Sequence, residues 1–374
     1  MRVDVKPVNS ILGRRKFIDL PFRLFGSDPI WVPPLRVAVH DRLSPKHPAN
    51  EHQETQLWMA YREGRAVGRI GACIDSLFNE FQGESWAWIG FFESFDDPTI
   101  AAALFNEAWR WARERGMKTA VGPGSFTTND ECGLLVDGFD HPPIILTSQN
   151  PPYYESLWTD AGWQPAMDLW GWQLLRENVS LSQRQHRVLD RIERNGDIRV
   201  RAMRMEDFDA EVHQFFELYN SAWARNWGFA PMTEAEVKHL AKNLKQIIDP
   251  DLAVLAETKS GTPVGVALAL PDINTTVRQI RDGRLLPLGW LKLLRGTKKY
   301  TQARIFALGV HPDHQPRALG PLLYERLLDR LLAKSHIKWA EASWVLETNT
   351  AMNSAVESLG GLHYKTWRLY KYEL

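Results

Sequence analysis

The stretch from Ala303 to the helix at 317–334 constrains this chain more than any other. Residues 303–310 (ARIFALGV) form an apolar run of strand length. A tight turn follows, His311-Pro312-Asp313-His314, and then Gln315-Pro316-Arg317-Ala318-Leu319-Gly320-Pro321 opens a helix with small residues. Free backbone N–H groups at a helix N-terminus point outwards with a partial positive charge. That geometry suits a pyrophosphate, and small residues at 318 and 320 let the backbone approach it. Pro316 and Pro321 lie at the first helical turn, where a missing N–H costs no hydrogen bond.

Similar alternation runs through the whole chain. The second half reads as strand 197–203, helix 206–223, helix 233–248 with the capping-box pair Thr233 and Glu236, and strands 252–257 and 263–270. Strand 303–310, helix 317–334, strand 338–346, helix 350–359 and strand 362–373 complete it. The first half has a helix at 14–25, a polar loop at 40–55 and a hairpin, 56–62 with 66–74, around Glu63-Gly64-Arg65. Strand 86–92, a helix capped by Asp97-Pro98, strand 117–121, helix 153–161 and strand 165–175 follow. The long irregular stretch 122–152 reads as a functional or disordered loop. Residues 176–196 are charged and connective. The expected fold is therefore α/β with a mixed sheet, in two domains, 1–176 and 197–374, joined by a linker at 177–196. The two halves look like degenerate copies of one plan.

Composition excludes several classes. Lys and Arg number 45 and so do Asp and Glu, so no overall field steers the chain to nucleic acid. Two cysteines, Cys73 and Cys132, cannot build a disulfide framework or a four-thiolate zinc site. No signal peptide and no apolar stretch of about 18 residues is visible, so a cytoplasmic protein is expected. His311, Asp313 and His314 match no strong metal spacing, and no metal is expected. The 16 Trp residues read as core fillers.

The loop Gln315-x-x-Ala318-x-Gly320, following Val310-His311-Pro312, resembles the acyl-CoA loop of the GNAT (Gcn5-related N-acetyltransferase) superfamily, with Ala318 where Gly is usual. Leu346-Glu347-Thr348-Asn349 after the next strand and Gly360-Gly361 after the next helix resemble its closing segment. The whole chain is similar to a bacterial family of tandem-GNAT proteins. The segments that carry this are Trp88–Glu93, Gly122–Asp140, Asn150–Tyr154, Asn226–Phe229, Arg284–Pro287 and Ser343–Asn349. The resemblance implies two GNAT-like folds in tandem and an N-acyltransferase that moves an acyl group from acyl-CoA to an amine. The first fold is expected to be degenerate. It has no pyrophosphate loop, and Glu93, Asp96 and Asp97 at its helix start would repel the ligand.

In the GNAT mechanism an amine attacks the thioester carbonyl directly. The resemblance puts backbone N–H donors at Leu308 and Val310, and the pyrophosphate at Gln315, Arg317, Ala318 and Gly320. Glu347 is either the general base or a carboxylate capping the next helix; Glu257 is a weaker alternative. Asn349 positions backbone or pantetheine. The Tyr that often protonates the leaving thiolate would stand at Val356, so Tyr364 is the substitute. Acceptor contacts are expected from Asn226, Trp227 and Phe229, and from Asn129 and Glu131 in the long loop. Cys132 with Asp130 and His141 could suggest nucleophilic catalysis, but burial is the preferred role for that cysteine.

Residues 278–299 hold seven Lys or Arg and one Asp around Leu285, Leu286, Leu288, Trp290, Leu291, Leu293 and Leu294. Such a stretch can lie on an anionic membrane surface, cover a long acyl chain, or pack as a helical hairpin. Two acceptors follow: an amine-bearing small molecule, or a lipid amine at the inner membrane face as in bacterial ceramide formation. A non-turnover acyl-CoA sensor is the alternative from another class.

Overall fold

The computed structural model describes residues 2–179, 187, 190, 191, 198–297, 299–317 and 319–374, with only the backbone at 315–317. The expected linker at 177–196 lies largely outside the described residues. The chain forms two compact units. Unit 1 comprises Met1–Leu169, Asn274–Arg295 and Lys365–Leu374; unit 2 comprises Trp170–Ile273 and Gly296–Tyr364. These are not the contiguous stretches 1–176 and 197–374. The reason is strand pairing: the chain's C-terminal residues complete the sheet of unit 1, and the basic insertion folds onto unit 1 as well.

In chain order the described strands are β1 (Asp4–Pro7), β2 (Gln53–Arg62), β3 (Arg65–Asp75), β4 (Trp86–Ser94), β5 (Thr119–Gly122), β6 (Leu134–Asp137) and β7 (Gln164–Leu175). Then come β8 (Ile198–Ala202), β9 (Ala253–Thr258), β10 (Pro263–Pro271), β11 (Gln302–Val310), β12 (Trp339–Leu346) and β13 (Leu362–Glu373). The segments β7 and β13 each contribute residues to both units.

In unit 1 the strand order is β1-β2-β3-β4-β5-β13, with β6 also on β13. The β2–β3 hairpin turns at Glu63 and Gly64, both at positive φ, as a tight turn between right-twisted strands requires. Helix Pro98–Glu114 buries Ile100, Leu104, Phe105, Ala108, Trp109 and Trp111. Around it the aromatic rings interlock: Phe92 stacks on Phe105 at 4.9 Å, and Trp158 meets Trp163 at 4.5 Å. Many tryptophans are thus core fillers, as their number suggested. Helices Arg36–Arg42 and Ser76–Gln82 and strand β1 were not legible; the end of the first of these and a 3-10 turn at Pro48–Glu51 occupy ground expected to be loop. Short helices of this kind carry too few turns for apolar spacing to emerge.

Unit 2 runs β7-β12-β11-β10-β9-β8. Helix Glu234–Leu244 begins with the expected capping box between Thr233 and Glu236. Helix Leu319–Ala333 buries Leu322, Leu323, Leu327 and Leu328 against Val254, Val264, Ala267 and Ile305. Gly265 lets it close on β10, since a Cβ there would collide with Leu323. On the other face, Trp223 at the end of helix Phe208–Ala222 lies over Gly309, where only a missing side chain leaves room.

Candidate functional site

Strand β11 sets the site. It pairs with β10 at Ala269↔Ile305 and at Leu268↔Ala307, so Phe306 is one extra residue, a β-bulge. Bulges bend the strand that carries them and end pairing on its other side. Pairing with the parallel strand β12 accordingly runs from Gln302↔Trp339 to Ile305↔Ala342 and goes no further among the described residues. Yet β11 continues to Val310 and β12 to Leu346. A cleft opens between them, and peptide groups of Phe306–Val310 lie along it outside the β11–β12 ladder. Leu308 packs against the core and Val310 belongs to it, so their backbone is what they present to the cleft.

Beyond Val310 the chain turns through a 3-10 segment, Pro312–Arg317, into helix Leu319–Ala333. His311 N–H donates to the Val264 carbonyl (2.9 Å), tying the turn to β10. The first N–H groups of such a helix have no partner within it. A Cβ on Gly320 would meet nothing within 4 Å, so the backbone is open to approach there. Ala318 lies outside the described residues, and Gln315 and Arg317 enter only as backbone.

Where the ladder ends, the sheet buries a charged cluster. Arg304 and Glu341 stand opposite one another in the register and are 1% and 0% exposed. Arg304 Nε donates to Ser343 Oγ (3.0 Å), and the Ser343 hydroxyl donates to Glu341 Oε1. Tyr364 donates its phenol to Glu341 Oε2. The Arg304 guanidinium lies 4.6 Å from the Trp344 ring centroid. Burial, and then the Glu341 charge, push the Tyr364 phenol well above its ordinary range. Buried polar groups are costly unless hydrogen-bonded, and Arg304, Ser343, Glu341 and Tyr364 form one hydrogen-bonded chain. The sequence carries the signal: an Arg and a Glu inside otherwise apolar strands.

The predicted residues fare unevenly. Tyr364 joins the buried cluster rather than Glu347. Glu347 sits on an exposed turn, its carbonyl accepting from Asn353 Nδ2 at 3.4 Å. Asn349 is exposed and caps helix Thr350–Ser358, accepting from Met352 N–H (3.2 Å). The buried amide near the end of β12 is instead Asn353, which holds the Leu346 carbonyl at 3.1 Å and accepts from Trp172 Nε1 at 3.0 Å. Glu257 is engaged by Arg201, which also binds Glu211 at 2.7 Å, so that carboxylate serves a structural pair. In unit 2, Asn226 and Phe229 share a turn hydrogen bond of 3.2 Å; Phe229 is buried against Tyr219, and Trp227 is half-buried. In unit 1, Asn129 N–H donates to Thr127 Oγ1 (3.2 Å), and the Glu131 carbonyl accepts from Ser125 N–H (3.0 Å), which is turn chemistry. Asp130 is held by Arg42 and by Phe126 N–H (2.7 Å), and Cys132 is buried.

Within unit 1 the corresponding strand pair also stops pairing, but the space is filled. Parallel pairing of β4 and β5 ends at Trp88↔Val121. There the chain itself enters: Gly124 N–H donates to the Ile89 carbonyl (2.9 Å), and a Cβ on Gly90 would collide with the Gly124 carbonyl. At the following helix, Asp97 accepts from Thr99 N–H (2.8 Å) and pairs with Arg62 at 2.7 Å, so the helix is capped by its own carboxylate. Glu93 pairs with Arg69 and accepts from Tyr154 (2.7 Å); burial raises its carboxyl, and Arg69 opposes that rise.

A family model described as the acetyltransferase (GNAT) family matches residues 212–360. The chain is 38% identical over 377 residues to a protein of Caulobacter vibrioides (strain NA1000 / CB15N) named bacterial ceramide synthase, covering 99% of this chain and 97% of that one. It is 34% identical over 365 residues to Protein YghO of Escherichia coli (strain K12), covering 96% and 93%. Among solved structures, a tandem GNAT protein from the clavulanic acid biosynthesis pathway aligns with a TM-score of 0.58 at 14% identity, over 100% of this chain and 98% of that one. A GCN5-related N-acetyltransferase from Sphaerobacter thermophilus aligns at 0.53 with 12% identity, over 99% and 95%. The expected architecture, tandem GNAT folds on a mixed α/β plan, is therefore met, and the chain belongs to the GNAT acetyltransferase family.

Proposed function

We propose that this protein is an acyl-CoA-dependent N-acyltransferase whose chemistry is carried by unit 2, and that its acceptor is a lipid amine receiving a long acyl chain. One observation carries the reaction class: the cleft that opens between β11 and β12 past the Phe306 bulge. Pantetheine lies along that cleft, the thioester carbonyl accepts from backbone N–H groups near Leu308 and Val310, and the pyrophosphate rests on the turn from Gln315 to Gly320. Such donors stabilise the oxyanion that forms on attack. The amine nitrogen bonds to the carbonyl carbon, the C–S bond breaks, the nitrogen loses a proton and the thiolate gains one.

The Glu341–Ser343–Tyr364 cluster is our candidate for moving those protons. Tyr364, whose hydroxyl donates to Glu341 Oε2, is the candidate proton source for the thiolate. Glu347 is the competing base, and Asn349 positions the turn after β12. Lipid specificity is supported by the name of the Caulobacter relative. Unit 1, with its cleft filled, is proposed not to bind CoA. The test is thermal stabilisation by CoA, acetyl-CoA and palmitoyl-CoA, since a ligand of the native state raises the melting temperature by mass action. CoA release with a long-chain amino alcohol is then measured. A larger shift with palmitoyl-CoA below its micelle range, and release only with the lipid amine, are expected. A shift with acetyl-CoA that palmitoyl-CoA does not exceed would move the acceptor to polar amines. No shift with any thioester would overturn the reading.

A further inference from the structure

Hydrogen bonds from Arg281 and Lys292 and to the backbone at 282 and 283 tie the basic insertion down. In unit 1 the Arg281 guanidinium donates to the Asp28 carbonyl (3.3 Å), and Arg36 Nε donates to the Asp282 carbonyl (2.6 Å). Arg36 N–H donates to the Gly283 carbonyl (2.9 Å), and Gly283, at φ +65°, fits where a Cβ would strike Pro34 and Phe22. Lys292 Nζ reaches the Gln279 carbonyl at 3.2 Å. Large apolar side chains are exposed among its basic ones: Leu286 is 76% exposed, Leu288 64%, Leu294 55% and Trp290 48%. Trp290 satisfies its Nε1–H on the Pro287 carbonyl at 3.0 Å, which leaves an apolar ring to present. Trp290 and Leu294, four residues apart on helix Gly289–Gly296, share one face. Arg284, two residues before Leu286, and Arg295, next to Leu294, are exposed, and Asp282 is the one acid from 278 to 296.

We propose that this outward face docks on an anionic phospholipid bilayer, with Leu286, Leu288, Trp290 and Leu294 entering the headgroup–acyl boundary and Arg284 and Arg295 meeting the phosphates. The charge selects the occupant. A face with basic residues around leucines and a tryptophan matches an anionic interface, whereas a second copy of the same face would set like charges against each other. No described helix is long and apolar enough to cross a membrane, so the contact is at the surface. It needs no turnover and stands apart from the acyl-transfer reading.

The experiment is flotation of the full-length protein with phosphatidylcholine vesicles, with and without phosphatidylglycerol. Flotation with the anionic vesicles only, weakening as salt shortens the Debye length to about 3 Å at 1 M, is expected. Replacing Leu286, Leu288, Trp290 and Leu294 together with Ser should lower the bound fraction about ten-fold or more. Replacing Arg284 and Arg295 with Gln should weaken binding and flatten its salt dependence. These side chains are exposed, so melting temperatures should stay at the wild-type value; if the Ser variant does not fold, the Gln variant decides alone. Absence of flotation with anionic vesicles overturns the proposal, as do wild-type binding by the variants or a Ser variant that merely converts a dimer to a monomer. Thermal shifts with acyl-CoA are read separately, so a failure here is distinguishable from a failure of acyl transfer.

Discussion

At Gly320 the backbone is open on the side where a Cβ would project, and that makes it a clean probe of the turn beside the cleft. Gly320→Glu adds bulk and negative charge without colliding with the fold. The expected outcome is loss of the acyl-CoA thermal shift with the apo melting temperature nearly unchanged; a retained shift would remove the turn from the binding site. Glu341 and Glu347 are separable in the same way. Glu341→Gln keeps one oxygen for its hydroxyl partners but cannot take up a proton, and turnover should fall about 100-fold, the usual reach of general acid–base catalysis. Acyl-CoA affinity should stay level. Glu347→Gln, on an exposed turn, should leave turnover near wild type. If the two results exchange places, Glu347 is the base. The sequence named Tyr364 as the substitute acid and Glu347 as the candidate base. It could not say that Tyr364 reaches Glu341, because those residues are 23 apart and meet only through the arrangement of strands.

Elements show why one fold plan gives two different halves. The helix after β11 follows a 3-10 segment, Pro312–Arg317, whereas the helix after β4 starts with a carboxylate already in place. Asp97 accepts from Thr99 N–H and pairs with Arg62, and those contacts hold its carboxyl well below the usual range. A folded-state pKa below the unfolded value contributes stability that is full above about pH 4 and lost as pH falls further. Asp97→Ala should therefore cost about 1 kcal/mol near neutrality, a normal N-cap loss. Its melting temperature should also fall less steeply than that of wild type below about pH 4. Equal slopes in a melting series across that range would exclude the assignment. The Asp97-Pro98 start and the Thr233–Glu236 capping box were both legible, because caps are local chemistry between residues two or three apart. The Phe306 bulge was not, since a bulge exists only relative to the partner strand.

For the whole molecule, the decisive fact is that unit 1 is made of three separate stretches of chain. Its sheet uses Tyr370–Glu373 against Thr119–Gly122, and Trp367, Leu369 and Tyr370 are fully buried. A fragment ending at residue 176 lacks that strand and the insertion. It should be insoluble or lack cooperative unfolding, and full-length protein truncated after Tyr364 should be strongly destabilised, as the loss of three large core side chains requires. A fragment 1–176 with a sharp melting transition would contradict this. Hydropathy pointed to a domain boundary near the charged stretch at 176–196, a sound inference from composition. Composition cannot report that a strand at the far end of the chain belongs to the first sheet.

The sequence by itself determined the alternating strands and helices, most of their positions, the caps, the strand–turn–helix with its small residues, and through these the GNAT family. All of that is encoded in spacings of a few residues. Tertiary structure alone decided where β11 leaves β12, which half keeps its cleft open, and which carboxylate is buried beside Tyr364. It also decided that the basic insertion folds with its leucines outward. Those outcomes depend on register and on contacts between distant residues, where one extra residue in a strand changes which groups face each other.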